Sequence, residues 1–328
     1  MRIGILGCGR IAQTMARTVN AIDGFELYAV SSRSKEKAEE FGREFGAAVS
    51  YGSYEEMVKD ENVDLVYVAT PHSHHKEHML LAIENGRNVL CEKAFTVNEE
   101  EAETVFRRAL EKGVYVAEAI WTRYMPSRRT IDGLIEDGRI GKVSSICANL
   151  CYSIMDKERI ADPRLAGGAL LDIGVYPLNF ALMARNGLSL EKMSGVCTKS
   201  ESGVDTRDSI SLVFEDGSVA SVFADATVRS DRRGIIYGTE GYIEVDNVNN
   251  PLLIRVYRTE GKTNVLDETI EIKEDFSGYE YELYEARKCI EEGRLEPYSM
   301  PHRETLRVMR IMDGFRQAWG IKLGSEIE

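Results

Sequence analysis

Lys93 stands at the end of the apolar run Asn88-Val89-Leu90-Cys91, with a carboxylate, Glu92, immediately before it. An ammonium in such a place can hold a substrate hydroxyl, bind a ribose, or lower the pKa of a neighbouring acid by stabilising its anion. Alone, it is better read as a solvated strand end tethered by Glu92. A second constellation changes that balance. The stretch from Arg164 to Pro177 carries the double glycine Gly167-Gly168, read as a flexible element, and then Asp172 and Tyr176, spaced to share a helix face. A phenol titrates near about 10 and works as a general acid or base near neutrality only when a cation lowers that value. Lys93 is the candidate cation, Tyr176 the candidate proton carrier, and Asp172 their candidate neighbour.

A third motif concerns a nucleotide. Gly7-Cys8-Gly9-Arg10-Ile11-Ala12 follows an apolar run and opens a helical pattern. Gly7 permits a tight turn, Gly9 lets the backbone approach a pyrophosphate, and Ala12 allows helix and strand to pack closely. The amides around Arg10 and Ile11 lie where a helix N-terminus favours an anion. The next strand ends Val30-Ser31-Ser32-Arg33-Ser34, without the acid that would hold a ribose 2′-hydroxyl; Ser32 and Arg33 suit a 2′-phosphate, so NADP is favoured over NAD. The serines can also cap the next helix, and both roles are compatible. Thr70-Pro71-His72-Ser73-His74-His75, with His78 beyond, invites a metal reading. It lacks a HExxH pattern and convergent acids, so no metal is expected. Contacts to cofactor or substrate from Thr70, Pro71, His72 and His75, or helix capping by Ser73, are the expectations.

These residues need elements to position them. Apolar runs at Arg2 to Leu6, Phe25 to Val30, Ala48 to Ser50, Leu65 to Thr70, Asn88 to Cys91 and Val114 to Ala119 alternate with helical patterns at Ile11 to Ile22, from Ser34, at Tyr54 to Lys59, His75 to Asn85 and Asn98 to Lys112. That alternation specifies a parallel sheet covered by helices on both faces. Beyond Trp121, after a helix near Ser127 to Glu136, come alternating segments at Val143 to Tyr152, Met193 to Ser200, Asp208 to Phe214, Val219 to Val228, Arg233 to Gly238, Tyr242 to Val245, Leu252 to Arg258 and Glu268 to Ile272. These predict a mostly antiparallel sheet. Further helices are expected at Gly174 to Arg185, Tyr279 to Glu292 and Arg303 to Trp319.

The 328 residues exceed the usual size of one core, so two domains are expected. A net charge of -13 argues against a nucleic-acid partner, since a phosphate backbone must be neutralised by basic patches. No window reads as an uninterrupted apolar span, and the first residues enter a strand pattern without a signal-peptide core, so no membrane partner and a cytoplasmic location are expected. The six cysteines, scattered along the chain, read as free thiols.

Taken together, Gly7 to Ala12, Thr70-Pro71 with His75, Glu92-Lys93, and Gly167-Gly168 through Asp172 to Tyr176 resemble the glucose-fructose oxidoreductase, inositol dehydrogenase and rhizopine-catabolism family of NAD(P)-dependent oxidoreductases, over nearly the whole chain. Ala119 to Pro126 and Tyr176 look most like its dimeric dihydrodiol dehydrogenase and NADP-dependent xylose dehydrogenase branch. The resemblance implies an α/β fold: a Rossmann domain of doubly wound parallel sheet at residues 1–119, then an α/β domain at 120–328 with a large open sheet for substrate binding and for homodimer or homotetramer formation. The C-terminal helix is expected to pack back on the first domain. The resemblance further implies Lys93 and Tyr176 as the catalytic pair with Asp172 near the substrate, Trp121 and Arg123 near the nicotinamide, Glu92 among the cofactor-binding residues, and hydride transfer to or from a sugar, cyclic polyol or dihydrodiol. Two departures stand out: Ala94 replaces a usual proline, and His72 a common asparagine. A proline would stiffen the turn that presents Lys93. The rival reading is a non-catalytic NADP-binding sensor or transcriptional co-regulator of the same fold.

Overall fold

Short apolar runs bounded by turn residues form the parallel sheet: β1 (Arg2–Leu6), β2 (Glu26–Ser31), β3 (Val49–Tyr51), β4 (Leu65–Val68), β5 (Asn88–Glu92) and β6 (Val116–Ala119). Between them lie α1 (Arg10–Ala21), α2 (Lys35–Phe45), α3 (Tyr54–Lys59), α4 (His75–Glu84) and α5 (Glu99–Lys112). The strand order is β3-β2-β1-β4-β5-β6, and every pairing is parallel. This is the doubly wound order in which ligands bind beyond the carboxyl ends of the strands. Ile3, Ile5, Val30, Leu65, Tyr67 and Leu90 are buried in the core of this sheet, which explains why its strands read as apolar on both faces.

The computed structural model describes residues 1–327 and divides into two compact units. The first is Met1–Tyr124 with Asp275–Arg310; the second is Met125–Glu274 with the chain from Ile311 onward. The second unit contains α6 (Pro126–Glu136), β7 (Val143–Cys151), α7 (Glu158–Ala161), α8 (Val175–Ala184), β8 (Leu190–Lys199), β9 (Asp205–Phe214), β10 (Val219–Asp225), β11 (Gly234–Gly238), β12 (Gly241–Val245), β13 (Leu253–Glu260) and β14 (Thr263–Glu271). Its sheet runs β14-β13-β12-β11-β7-β10-β9-β8, antiparallel except for the parallel pair β7 and β10. The last two helices are α9 (Glu280–Glu291), in the first unit, and α10 (His302–Trp319), which begins there and ends in the second.

Three readings change. β14 starts at Thr263 rather than Glu268: Thr263 to Asp267 are all exposed, the adjacent apolar Val265 and Leu266 included, so no buried alternation marks them, and the register comes from the hairpin with β13. The helix expected from Gly174 is preceded by a π-helical turn, Leu170–Gly174. Pro163–Ala184 is, after all, long and apolar enough to cross a membrane by length and composition. Its apolar 18-residue window is 94% buried inside the protein, and all ten residues of α8 are buried, which leaves no polar face to read.

Candidate active site

The loops that follow β1, β2, β4, β5 and β6 share the carboxyl edge of the parallel sheet. Gly7 has φ of 107°, and a side chain there would press on the Ala69 carbonyl at 3.0 Å. Its amide donates to the Ser31 carbonyl at 3.0 Å, tying the loop to β2. Gly9 caps α1 without a side-chain bond, and the first turn, which opens with Arg10 and Ile11, has no acid. By contrast α2, α3 and α5 are capped by Ser34, Ser53 and Asn98, and each has acids in its first turn. The positive end of α1 is thus kept for an anion, and the glycine cradle fits a dinucleotide pyrophosphate.

At the end of β2, Ser31 and Ser32 are buried and Arg33 is exposed; no carboxylate stands among them. Ser34 does cap α2, accepting from the Lys37 amide at 3.3 Å. Tyr54 meets the His78 ring edge-on at 4.7 Å. Burial, then the His74 ring and the Arg33 charge, holds His78 down at about 4 despite Glu55.

Beyond β4, the histidines turn inward to the protein's own polar groups. His72 Nε2 lies 3.1 Å from the Lys93 carbonyl, and His75 places Nδ1 at 2.9 Å from the Ala94 carbonyl and Nε2 at 2.8 Å from that of Thr70. His78 Nδ1 meets the Thr70 hydroxyl at 2.9 Å. Two carbonyls favour a doubly protonated His75, yet burial and His72 hold its pKa at about 3, so near neutrality the ring is uncharged and donates to one carbonyl at a time. Ser73 does not cap: α4 has no side-chain cap, and the Ser73 hydroxyl is buried without a hydrogen-bond partner. Among the described residues, no His, Cys, Asp or Glu cluster is arranged to hold a metal ion.

Lys93 follows β5. Its amide donates to the Glu92 carboxylate at 3.2 Å, and the other oxygen of that carboxylate accepts from the Tyr67 hydroxyl. The Lys93–Ala94 peptide is cis, and Ala94 is fully buried. Beside β5, Glu118 of β6 is 1% exposed, and neither of its oxygens has a hydrogen-bond partner. Burial raises it from its ordinary 4.5 to about 7; the Thr305 hydroxyl, the charge of Arg123, the Phe95 main chain and the charge of Lys93 oppose that rise. Glu118 was legible only as a lone acid inside an apolar strand. Trp121 stacks on Tyr279 with centroids 4.4 Å apart, and the buried Arg123 lies 3.6 Å from Glu304.

Within the second unit, Asp172 is buried in the π-helical turn and receives Arg159 at 2.6 Å, while Tyr176 is buried near the start of α8. The double glycine is not a flexible element. Gly167 and Gly168 amides donate to the Asp162 and Ile160 carbonyls at 3.2 and 2.9 Å, and side chains there would collide with Ile160 and Asp205. Asp205 accepts from the Leu170 amide at 2.5 Å, anchoring the turn that carries Asp172. Burial raises both Asp205 and its neighbour Asp208. Nothing in sequence spacing marked Asp205, because it meets the turn across 35 residues.

The models of the oxidoreductase family with an NAD-binding Rossmann fold and of its C-terminal domain match residues 1–119 and 129–244. The chain belongs to this family of NAD(P)-binding oxidoreductases. Among its relatives, the D-xylose 1-dehydrogenase (NADP(+)) of Hypocrea jecorina is 34% identical, with 98% of this chain and 92% of that one covered. The trans-1,2-dihydrobenzene-1,2-diol dehydrogenase of Danio rerio is 32% identical, with 98% and 97% covered. The fold is shared with the aldose-aldose oxidoreductase of Caulobacter crescentus complexed with glycerol, at TM-score 0.87 and 23% identity, with 98% and 97% of the two chains covered. It is shared also with a 3-ketoreductase from Actinomadura kijaniata in complex with NADP and TDP-benzene, at TM-score 0.85 and 24% identity, with 97% of each chain covered.

Proposed function

We propose that this chain is an NADP-preferring dehydrogenase acting at a carbinol carbon of a sugar, cyclic polyol or dihydrodiol. The observation that carries the reading is the carboxyl edge of the parallel sheet, where the glycine cradle, the acid-free end of β2 and Lys93 follow β1, β2 and β5. The 34% identical xylose dehydrogenase, named for NADP, and the dihydrodiol dehydrogenases support the cofactor and substrate class. The bound nicotinamide supplies the hydride acceptor or donor. Gly7, Gly9, Arg10 and Ile11 would hold its pyrophosphate and Ser32 and Arg33 the 2′-phosphate, and Thr70, Pro71, Glu92, Trp121 and Arg123 are assigned to the nicotinamide.

In this reading Tyr176 takes the hydroxyl proton in oxidation and returns it in reduction, and the Lys93 ammonium favours the tyrosinate. Asp172, held by Arg159, orients a substrate hydroxyl. The open face of the second sheet is read as a self-association surface. Val219, Phe223 and Tyr237 are exposed there, and Tyr242 stacks on Tyr257 at 4.3 Å. Phe223→Asp is expected to lower the mass seen by light scattering; an unchanged mass removes that face from the assembly. Steady-state turnover of aldoses, inositols and trans-dihydrodiols with NADP and NAD tests the function. Activity on at least one class, better with NADP, is expected; tight NADP binding with no turnover on any class favours the sensor.

A further inference from the structure

We propose that His72 and His75 are positioning residues that aim Lys93 by holding the main chain at its own carbonyl and at that of Ala94; this rests on the reading of Lys93 as catalytic. β5 ends at Glu92, so the sheet no longer fixes the backbone from Lys93 onward. An alanine at 94 leaves the turn the φ freedom that a proline would remove. The restraint comes from the neighbouring strand's loop instead. The His72 ring reaches the Lys93 carbonyl at 3.1 Å and the His75 ring the Ala94 carbonyl at 2.9 Å. His75 Nε2 also lies 2.8 Å from the Thr70 carbonyl, so the uncharged ring sits between the ends of two adjacent strands and donates to one of them at a time. The two rings pack edge to face at 5.6 Å, and both are buried, which limits their rotation. On the other side the Lys93 amide is held by Glu92 at 3.2 Å. Held at its amide by the adjacent Glu92 and at two successive carbonyls by His72 and His75, the lysine has its Cα direction set in part by side chains remote in sequence.

The Phe substitutions His72→Phe and His75→Phe keep ring volume and remove the nitrogens. Each is expected to lower kcat roughly ten- to hundredfold, the scale of a misplacement of about 1 Å, with NADP affinity within about threefold of the parent. His72→Gln, whose amide nitrogen reaches the place of Nε2, is expected to stay near parental, while the shorter His72→Asn falls. Ala94→Pro in the His72→Asn background is expected to recover part of the loss, a coupling that a general loss of stability would not produce. If the Phe variants do not fold, the Gln and Asn pair decides. Equal kcat for Gln, Asn and parent, or a loss in Asn untouched by Ala94→Pro, overturns the proposal. Lys93→Met separates the two claims: parental turnover there refutes the catalytic reading, whereas loss there with no effect at His72 and His75 refutes only the positioning.

Discussion

The loops after β1 and β5 lie on the same edge of one sheet, yet they are shaped by different means. The Gly7 loop is shaped by its own backbone, through a φ of 107° and a space that excludes a side chain. The Lys93 turn contains no such residue; its main chain is gripped by Glu92, His72 and His75. A cradle for a ligand common to many enzymes can be local, because a pyrophosphate needs only amides and room. A reacting side chain must be aimed, and aiming takes partners from elsewhere in the fold.

The difference can be broken from either side. Gly7→Ala should have the largest effect, because backbone must move to relieve the clash with Ala69. NADP affinity is expected to fall roughly a hundredfold or more, about 3 kcal/mol; titration calorimetry that finds near-parental binding contradicts the cradle. Arg33→Ala comes next, with an expected loss of roughly tenfold for NADP and little for NAD, since only a 2′-phosphate would use the guanidinium. Equal losses for both cofactors would place Arg33 elsewhere.

Glu118→Gln should have the smallest effect on binding and a clear one on stability against pH. Burial raises the Glu118 pKa from 4.5 to about 7. The folded protein therefore keeps this proton over a window in which the unfolded chain has lost it, and the stability that the group contributes at low pH is lost as pH rises through about 7. The variant is expected to lack that decline and to melt higher than the parent above this pH. Parallel melting curves from acid to alkaline pH would show that Glu118 does not titrate in this window.

Most of the first unit was legible because its signals are local. Apolar runs gave the strands, the serine cap at Ser34 gave α2, and the glycine pattern gave the loop before α1. The Lys93 turn was legible only as a residue in a suggestive place. Its histidines read as cofactor contacts or a metal hint, because sequence shows neither that β4 lies beside β5 nor which way an imidazole points. The Gly167-Gly168 pair misled for the same reason: tight packing against Ile160 and Asp205 and flexibility call for the same residue type. β14, whose start is wholly exposed with Val265 and Leu266 side by side, offered no alternation to read.

The most direct test of the account is deuterium transfer from a carbinol-deuterated sugar or dihydrodiol to NADP, followed by NMR of the nicotinamide. The experiment compares the parent with Lys93→Met and Tyr176→Phe. Label on the nicotinamide ring with the parent, and its slowing by roughly a hundredfold or more in both variants while NADP still binds, is the predicted result. Undiminished transfer in either variant would remove that residue from the chemistry, and no transfer by the parent from any of these substrates would contradict the proposed reaction.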